Sequence, residues 1–108
     1  MAALGGMATG GVDADVIPGG IGEFGLSVDN PVPCHTILGS HAYLASLRHN
    51  GKPITYVRIG SFGSKIVESP VDKYTISDHS GSFLADVFIT AYQKRNSSIA
   101  PKGFSIEK

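Results

Sequence analysis

Residues 71–92 read VDKYTISDHSGSFLADVFITAY, and this stretch carries the strongest structural signal in the chain. Residues 71–77 and 82–92 are rich in the β-branched and aromatic side chains that favour strands. Between them lies DHSG, whose Asp, Ser and Gly are typical turn residues. We therefore predict that two strands pair here as an antiparallel hairpin.

The second strand of this hairpin has large apolar side chains on both faces. Alternation along a strand places Phe83, Val87 and Ile89 on one face and Leu84 and Phe88 on the other. One short helix can cover only one face of a small sheet, so the second face must be covered by another segment or by a second copy of the chain. We favour the second copy and predict a homo-oligomer, with a dimer as the simplest form.

Outward from the hairpin, three further segments predict regular structure. Residues 53–60, PITYVRIG, predict a strand, and GFSIE near the C-terminus predicts a short edge strand. Residues 39–51, GSHAYLASLRHNG, predict a helix of about nine residues, which is too short to be stable without packing on the sheet. Ser40 is expected to cap its start and Asn50-Gly51 to end it.

The N-terminal part of the chain predicts little regular structure. Residues 1–22 are rich in Gly and Ala, and we expect a flexible arm. Residues 23–28 alternate in polarity and predict an extended segment or edge strand, which Pro31 and Pro33 prevent from continuing. The predicted fold is therefore a single α+β domain over residues 23–108. It has an antiparallel sheet of three to four strands with one short helix packed on one face.

Composition argues against several classes of protein. Nine Lys plus Arg balance nine Asp plus Glu, so no net field attracts the chain to nucleic acid. The N-terminus has neither a basic region nor an apolar run typical of a secretory signal, and no segment reaches the length of a membrane span. We expect a soluble cytoplasmic protein that makes no contact with membranes.

Cys34, the single cysteine, follows two prolines and precedes His35 in NPVPCH. Neighbouring side chains in an extended segment point to opposite sides, so His35 is a poor base for a thiolate. One cysteine also rules out an internal disulfide, and the histidine spacing fits no closed zinc site. We therefore expect a buried thiol in a stiff connector, with no catalytic residue, metal or cofactor.

Five motifs together resemble a group of short bacterial proteins of the kind carried on mobile elements and integron gene cassettes. The motifs are FGLSVDNPV, YLASLR, GKPITYVRIGS, VDKYTIS and APKGF, and they extend from Phe24 to Phe104. The resemblance brings no catalytic or binding residue. It implies an accessory or interaction protein rather than a metabolic enzyme.

The leading functional prediction is a small, non-enzymatic, self-associating protein that binds another macromolecule. Its predicted contact residues are Leu84 and Phe88, with the aromatic side chains Tyr56 and Tyr92 as anchors. One alternative is a small-molecule binding protein or minor enzyme, with a pocket between helix and sheet lined by His41, Tyr43 and Arg58. A second alternative is nucleic-acid binding, suggested by the basic pair Lys94-Arg95 beside Tyr92. The sequence leaves all three open.

Overall fold

The computed structural model describes residues 11–107, which form a four-stranded sheet, a three-stranded sheet and one helix. The elements are β1 (Val32–Pro33), α1 (Thr36–Ser46), β2 (Leu47–His49), β3 (Lys52–Pro53), β4 (Thr55–Phe62), β5 (Val71–Ser77), β6 (Phe83–Thr90) and β7 (Ser105–Ile106). The main sheet has the strand order β1-β6-β5-β4, and the second sheet has the order β3-β2-β7. The predicted α+β class is confirmed.

The β5–β6 hairpin forms where the sequence predicts it. Tyr74 pairs with Val87 and Lys73 pairs with Phe88 across the two strands. Asp78 holds the turn, because its Oδ1 accepts hydrogen bonds from the backbone N–H groups of Ser80 and Ser82, each at 2.9 Å. The turn prediction therefore rests on one carboxylate that satisfies several donors.

The main sheet is mixed rather than purely antiparallel, because β1 runs parallel to β6. Val32 pairs with Ile89 and Pro33 pairs with Thr90. The prolines of NPVPCH are tolerated because β1 lies at the edge of the sheet, where a missing N–H costs no ladder bond. The expected stiff connector is thus itself a short strand.

The helix begins before the predicted cap. Ser40 lies inside α1 and is buried, and its hydroxyl donates to the carbonyl of Thr36 at 3.2 Å. The helix ends because Leu47 adopts extended dihedral angles and pairs with Ile106 of β7. The Ser40 cap prediction is wrong, whereas a short helix packed on the sheet is present.

The Asn50-Gly51 pair makes a hairpin turn between β2 and β3 instead of ending the helix. Both residues have positive φ, at 52° and 77°, and His49 pairs with Lys52 across the turn. Asn-Gly with two positive φ angles is the preferred type I′ hairpin turn. The short C-terminal strand that the sequence predicts is β7. It pairs with β2 and adds a third strand to this hairpin.

Residues 23–28 form turns and not the predicted strand. Gly25 has φ of 75°, and its N–H donates to the Asn30 carbonyl at 2.7 Å. Its carbonyl in turn accepts from the N–H of Phe88 at 2.8 Å. A side chain at this position would meet Pro101 at 2.8 Å, so the turn depends on glycine.

The described part of the predicted flexible arm, residues 11–22, packs on the domain, while residues 1–10 lie outside the described residues. The Val12 N–H donates to Gln93 Oε1 at 2.7 Å. Asp13 and Asp15 form ion pairs with Arg95 at 2.6 and 2.9 Å. This segment is thus attached by hydrogen bonds, by ion pairs and by the buried side chain of Ile17, which an argument from overall composition does not detect.

Two apolar clusters lie on opposite sides of the main sheet. The larger cluster packs α1 against one side and contains buried Val32, Cys34, Tyr43, Leu44, Leu47, Tyr74, Ile76, Val87 and Ile89. The smaller cluster is formed by Ile17, Val67 and Val71, with Phe88 packed against it. The chain therefore covers part of the second side of the sheet itself.

Candidate functional site

The side of the main sheet opposite α1 is the candidate site, and we call it the outer face. Tyr74 and Ile76 point into the larger cluster, so the alternating residues of β5 point the other way. Directly opposite residues on neighbouring strands share a face. The outer face therefore includes Thr55, Val57, Gly60, Phe62, Val71, Lys73, Thr75, Ser77, Phe83, Asp86 and Phe88.

A β-bulge in β6 changes which apolar residues lie on this face. Ile76 pairs with Ala85 and Ser77 pairs with Phe83, so Leu84 is the extra residue. Leu84 packs against the larger cluster, whereas Phe83 joins the outer face. The prediction that Leu84 and Phe88 share a face is therefore wrong, because strict alternation does not hold across a bulge.

The outer face exposes three large apolar side chains. Val57 and Phe83 are each 63% exposed, and Phe62 is 44% exposed. Phe88 is half-buried, because the smaller cluster covers part of it. The outer face thus has a part covered by the smaller cluster and a part that is exposed.

A surface cavity of about 350 Å³ lies on this face, lined by Val28, Phe62, Gly63, Lys73 and Phe88. The Lys73 ammonium lies 5.7 Å from the Phe62 ring centroid and 6.0 Å from that of Phe88, within cation–π range. The walls are therefore mainly apolar, with one cation between two aromatic rings.

Lys73 also forms an ion pair beside the cavity. Its Nζ lies 3.7 Å from Asp86 Oδ2, and the other oxygen of Asp86 accepts from the Thr75 hydroxyl at 2.8 Å. Arg58 takes no part in this ion pair. It pairs with Asp72 at 3.1 Å, since Arg58 and Asp72 lie on the helix side of the sheet. The polar part of the outer face is electrically balanced.

The predicted pocket residues lie on the helix side of the sheet. His41 Nδ1 is 3.2 Å from the Tyr56 hydroxyl, and the Arg58 guanidinium donates to Asp72 and to Ser61. Tyr43 is buried, and its hydroxyl donates to the Ile99 carbonyl at 2.7 Å. The polar group of Tyr43 is thus engaged with the loop at Ile99, while those of His41 and Arg58 are engaged with β4 and β5.

Tyr74 lies between these groups, and reasoning from the sequence did not identify it. Its ring centroid is 6.4 Å from that of His41 and 6.0 Å from that of Tyr56. Its buried hydroxyl has no hydrogen-bond partner among residues 11–107. Burial raises the pKa of this phenol, and the nearby Asp72 carboxylate raises it further. Tyr74 is therefore a neutral phenol with an unpaired hydroxyl.

Cys34 is fully buried in the larger cluster. Burial raises the pKa of its thiol to about 12, because the thiolate would lose its hydration. His35 turns away and places its Nδ1 2.8 Å from the Gln93 carbonyl. The thiol is consequently protonated near neutral pH and has no base beside it. No group of three or more metal-ligating side chains occurs within residues 11–107.

Arg95, one of the two basic residues beside Tyr92, is held by ion pairs. Arg95 is engaged by Asp13 and Asp15, which are contributed by the N-terminal segment. Tyr92 is exposed and pairs through its backbone with His35. Within the described part of the chain, no helix is long and apolar enough to cross a membrane.

Comparison with protein-family models, curated proteins and solved structures found no significant match to this chain. The resemblance to proteins carried on gene cassettes therefore stays a prediction.

Proposed function

We propose that the protein is a small non-enzymatic interaction protein that forms a homodimer through the outer face of its main sheet. The observation that carries this proposal is the shared exposure of Val57, Phe62 and Phe83 on one face. Single exposed apolar residues are ordinary on protein surfaces, whereas several on one sheet face are typical of an interface.

The size of the domain supports the same proposal. A chain of 108 residues buries a smaller fraction of its surface than a large protein does. The smaller cluster covers only part of the outer face. A second copy would cover the rest and would add apolar burial that the monomer cannot supply.

The helix side gives less support to a small-molecule pocket. Of the three predicted lining residues, Tyr43 directs its hydroxyl to Ile99, and Arg58 is neutralised by Asp72. The surface cavity that could hold an apolar group lies on the outer face, beside the exposed apolar side chains. This arrangement favours a protein interface over an enzyme pocket.

Sedimentation equilibrium of the full chain and of Val57→Lys tests the proposal. We expect the wild type to be a dimer at micromolar concentrations. Val57 is mostly exposed in the monomer, so burying both copies is worth about 2 kcal/mol, and the lysine should raise Kd by at least about 30-fold.

Leu38→Lys is the matched control, because Leu38 is 81% exposed on α1, on the other side of the sheet. We expect this variant to dimerise like the wild type. A monomeric wild type would refute self-association. A dimer disrupted by Leu38→Lys but not by Val57→Lys would place the interface on the helix.

A further inference from the structure

We propose that Phe83 of each copy inserts into the cavity between Phe62, Lys73 and Phe88 of the other copy. This inference rests on the proposed dimer and identifies the contact that holds it together. The outer face carries two complementary features, the exposed aromatic side chain of Phe83 and a cavity lined by aromatic rings.

The register of the strands allows both contacts to form at once. Phe83 lies level with Ser77, Asp86 lies level with Thr75, and Phe88 lies level with Lys73. Ser77 and Lys73 are four residues apart on β5, which corresponds to about 13 Å. Phe83 and the cavity thus lie on either side of the Thr75–Asp86 level.

A two-fold axis that crosses the strands at this level exchanges the two positions. It places Phe83 of one copy opposite the cavity of the other, and the reverse contact follows by symmetry. Val57 is paired with Thr75 and lies on the axis level, so it meets Val57 of the other copy. Two sheets packed face to face with their strands nearly aligned form such a sandwich.

The cavity suits an aromatic ring in size and in chemistry. About 350 Å³ is available, and an apolar cavity of about 150 Å³ suffices to hold benzene. The edges of Phe62 and Phe88 favour contact with another aromatic ring, and the Lys73 ammonium favours the face of one. Asp86 lies at the axis level and therefore faces Asp86 of the other copy, and the Lys73 ammonium of the same copy, 3.7 Å away, neutralises each carboxylate.

Disulfide trapping between two single variants tests this contact. Gly63→Cys is well suited to the cavity side, because no atom lies within 4 Å of a Cβ built there. Phe83→Cys is the other variant. The natural Cys34 is left unmutated in both variants because it is fully buried. When the two variants are mixed, one unchanged Phe83 still faces one unchanged cavity, so the heterodimer keeps half of the native contact.

We expect mild oxidation of the mixture to give a covalent heterodimer, identified by mass, that a reductant dissolves. Each variant oxidised alone should give at least about 10-fold less covalent dimer, because like positions are not opposed across the axis. In a second measurement, Phe83→Ala should raise Kd of the full chain by at least about 10-fold, whereas Leu38→Ala should leave it unchanged.

Two results would overturn the inference while leaving the proposed dimer intact. One is efficient cross-linking of Phe83→Cys to itself, which would require a different axis. The other is a wild-type dimer that neither cross-links in the mixture nor weakens with Phe83→Ala. A wild type that is monomeric throughout would instead remove both the dimer and this contact.

Discussion

Removing a hydroxyl from each of two buried tyrosines should change stability in opposite directions. Tyr74 and Tyr43 both belong to the larger apolar cluster. The Tyr74 hydroxyl has no hydrogen-bond partner among the described residues, whereas the Tyr43 hydroxyl donates to the Ile99 carbonyl at 2.7 Å. Tyr74→Phe and Tyr43→Phe are therefore the same chemical change in two different environments.

The expected magnitudes follow from the state of each hydroxyl. An unpaired buried polar group costs about 1–3 kcal/mol. Tyr74→Phe should therefore raise the free energy of unfolding. We expect a gain at the lower end, about 1 kcal/mol, because removing the oxygen also removes its packing contacts. Tyr43→Phe breaks a formed bond and leaves the Ile99 carbonyl without this donor, which should lower stability by about 1–2 kcal/mol.

The assay is urea unfolding of both variants and the wild type at one protein concentration, since association would make stability concentration-dependent. The chain has no tryptophan, so far-ultraviolet circular dichroism is the suitable signal. Each kcal/mol should move the melting temperature by about 4–8 °C in a domain of this size. If Tyr74→Phe destabilises the fold as much as Tyr43→Phe, the Tyr74 hydroxyl has a partner and our reasoning is wrong.

Two further predictions concern ionisable groups. Hydrogen bonds from Ser98 and Arg95 lower the pKa of Asp15 from 3.8 to about 2. The ionised Asp15 carboxylate therefore stabilises the folded state above the unfolded pKa, and this contribution is lost as the pH falls from about 4 to about 2. Asp15→Asn should show a smaller loss of melting temperature over that range, and an identical pH profile would contradict the assignment. Burial and a pKa of about 12 protect the Cys34 thiol, so thiol reagents should label it slowly until urea unfolds the chain, and equal native and unfolded rates would show that it is accessible.

The two candidate regions differ in what holds their polar groups. On the helix side, Arg58, Asp72 and Ser61 bond to one another, and His41 contacts Tyr56. On the outer face, exposed apolar side chains surround one balanced ion pair. The polar groups of the helix side are thus satisfied within the chain, whereas the outer face places exposed apolar side chains around a cavity, and such surface gains free energy when covered. This contrast is the reason we place the function on the outer face.

Local chemistry was enough to predict the elements built from neighbouring residues. β5 covers Val71–Ser77 as predicted, and the Asp78 turn follows from a carboxylate beside backbone donors. The short C-terminal strand at Ser105–Ile106 and the docked helix were also predicted. The Asn50-Gly51 pair carried a hairpin signal too, but we assigned it to the end of the helix, because a helix stop and a type I′ turn both use positive φ.

Contacts between residues distant in sequence decided what the patterns could not. The parallel pairing of β1 with β6 joins Val32 to Ile89, and the N-terminal segment is attached by the ion pairs of Arg95. Neither contact leaves a periodic signal, because each depends on where the chain returns after many residues.

The composition of the outer face illustrates the same division. Alternation in the sequence showed that β6 has apolar residues on both sides, which suggested that one side of the sheet needs a cover. Because of the bulge at Leu84, Phe83 lies on the outer face in place of Leu84. The smaller cluster covers part of Phe88. The sequence by itself thus determined that apolar surface would be left over. Only tertiary packing decided which side chains form it, because a bulge is set by strand pairing and not by the residues of one strand.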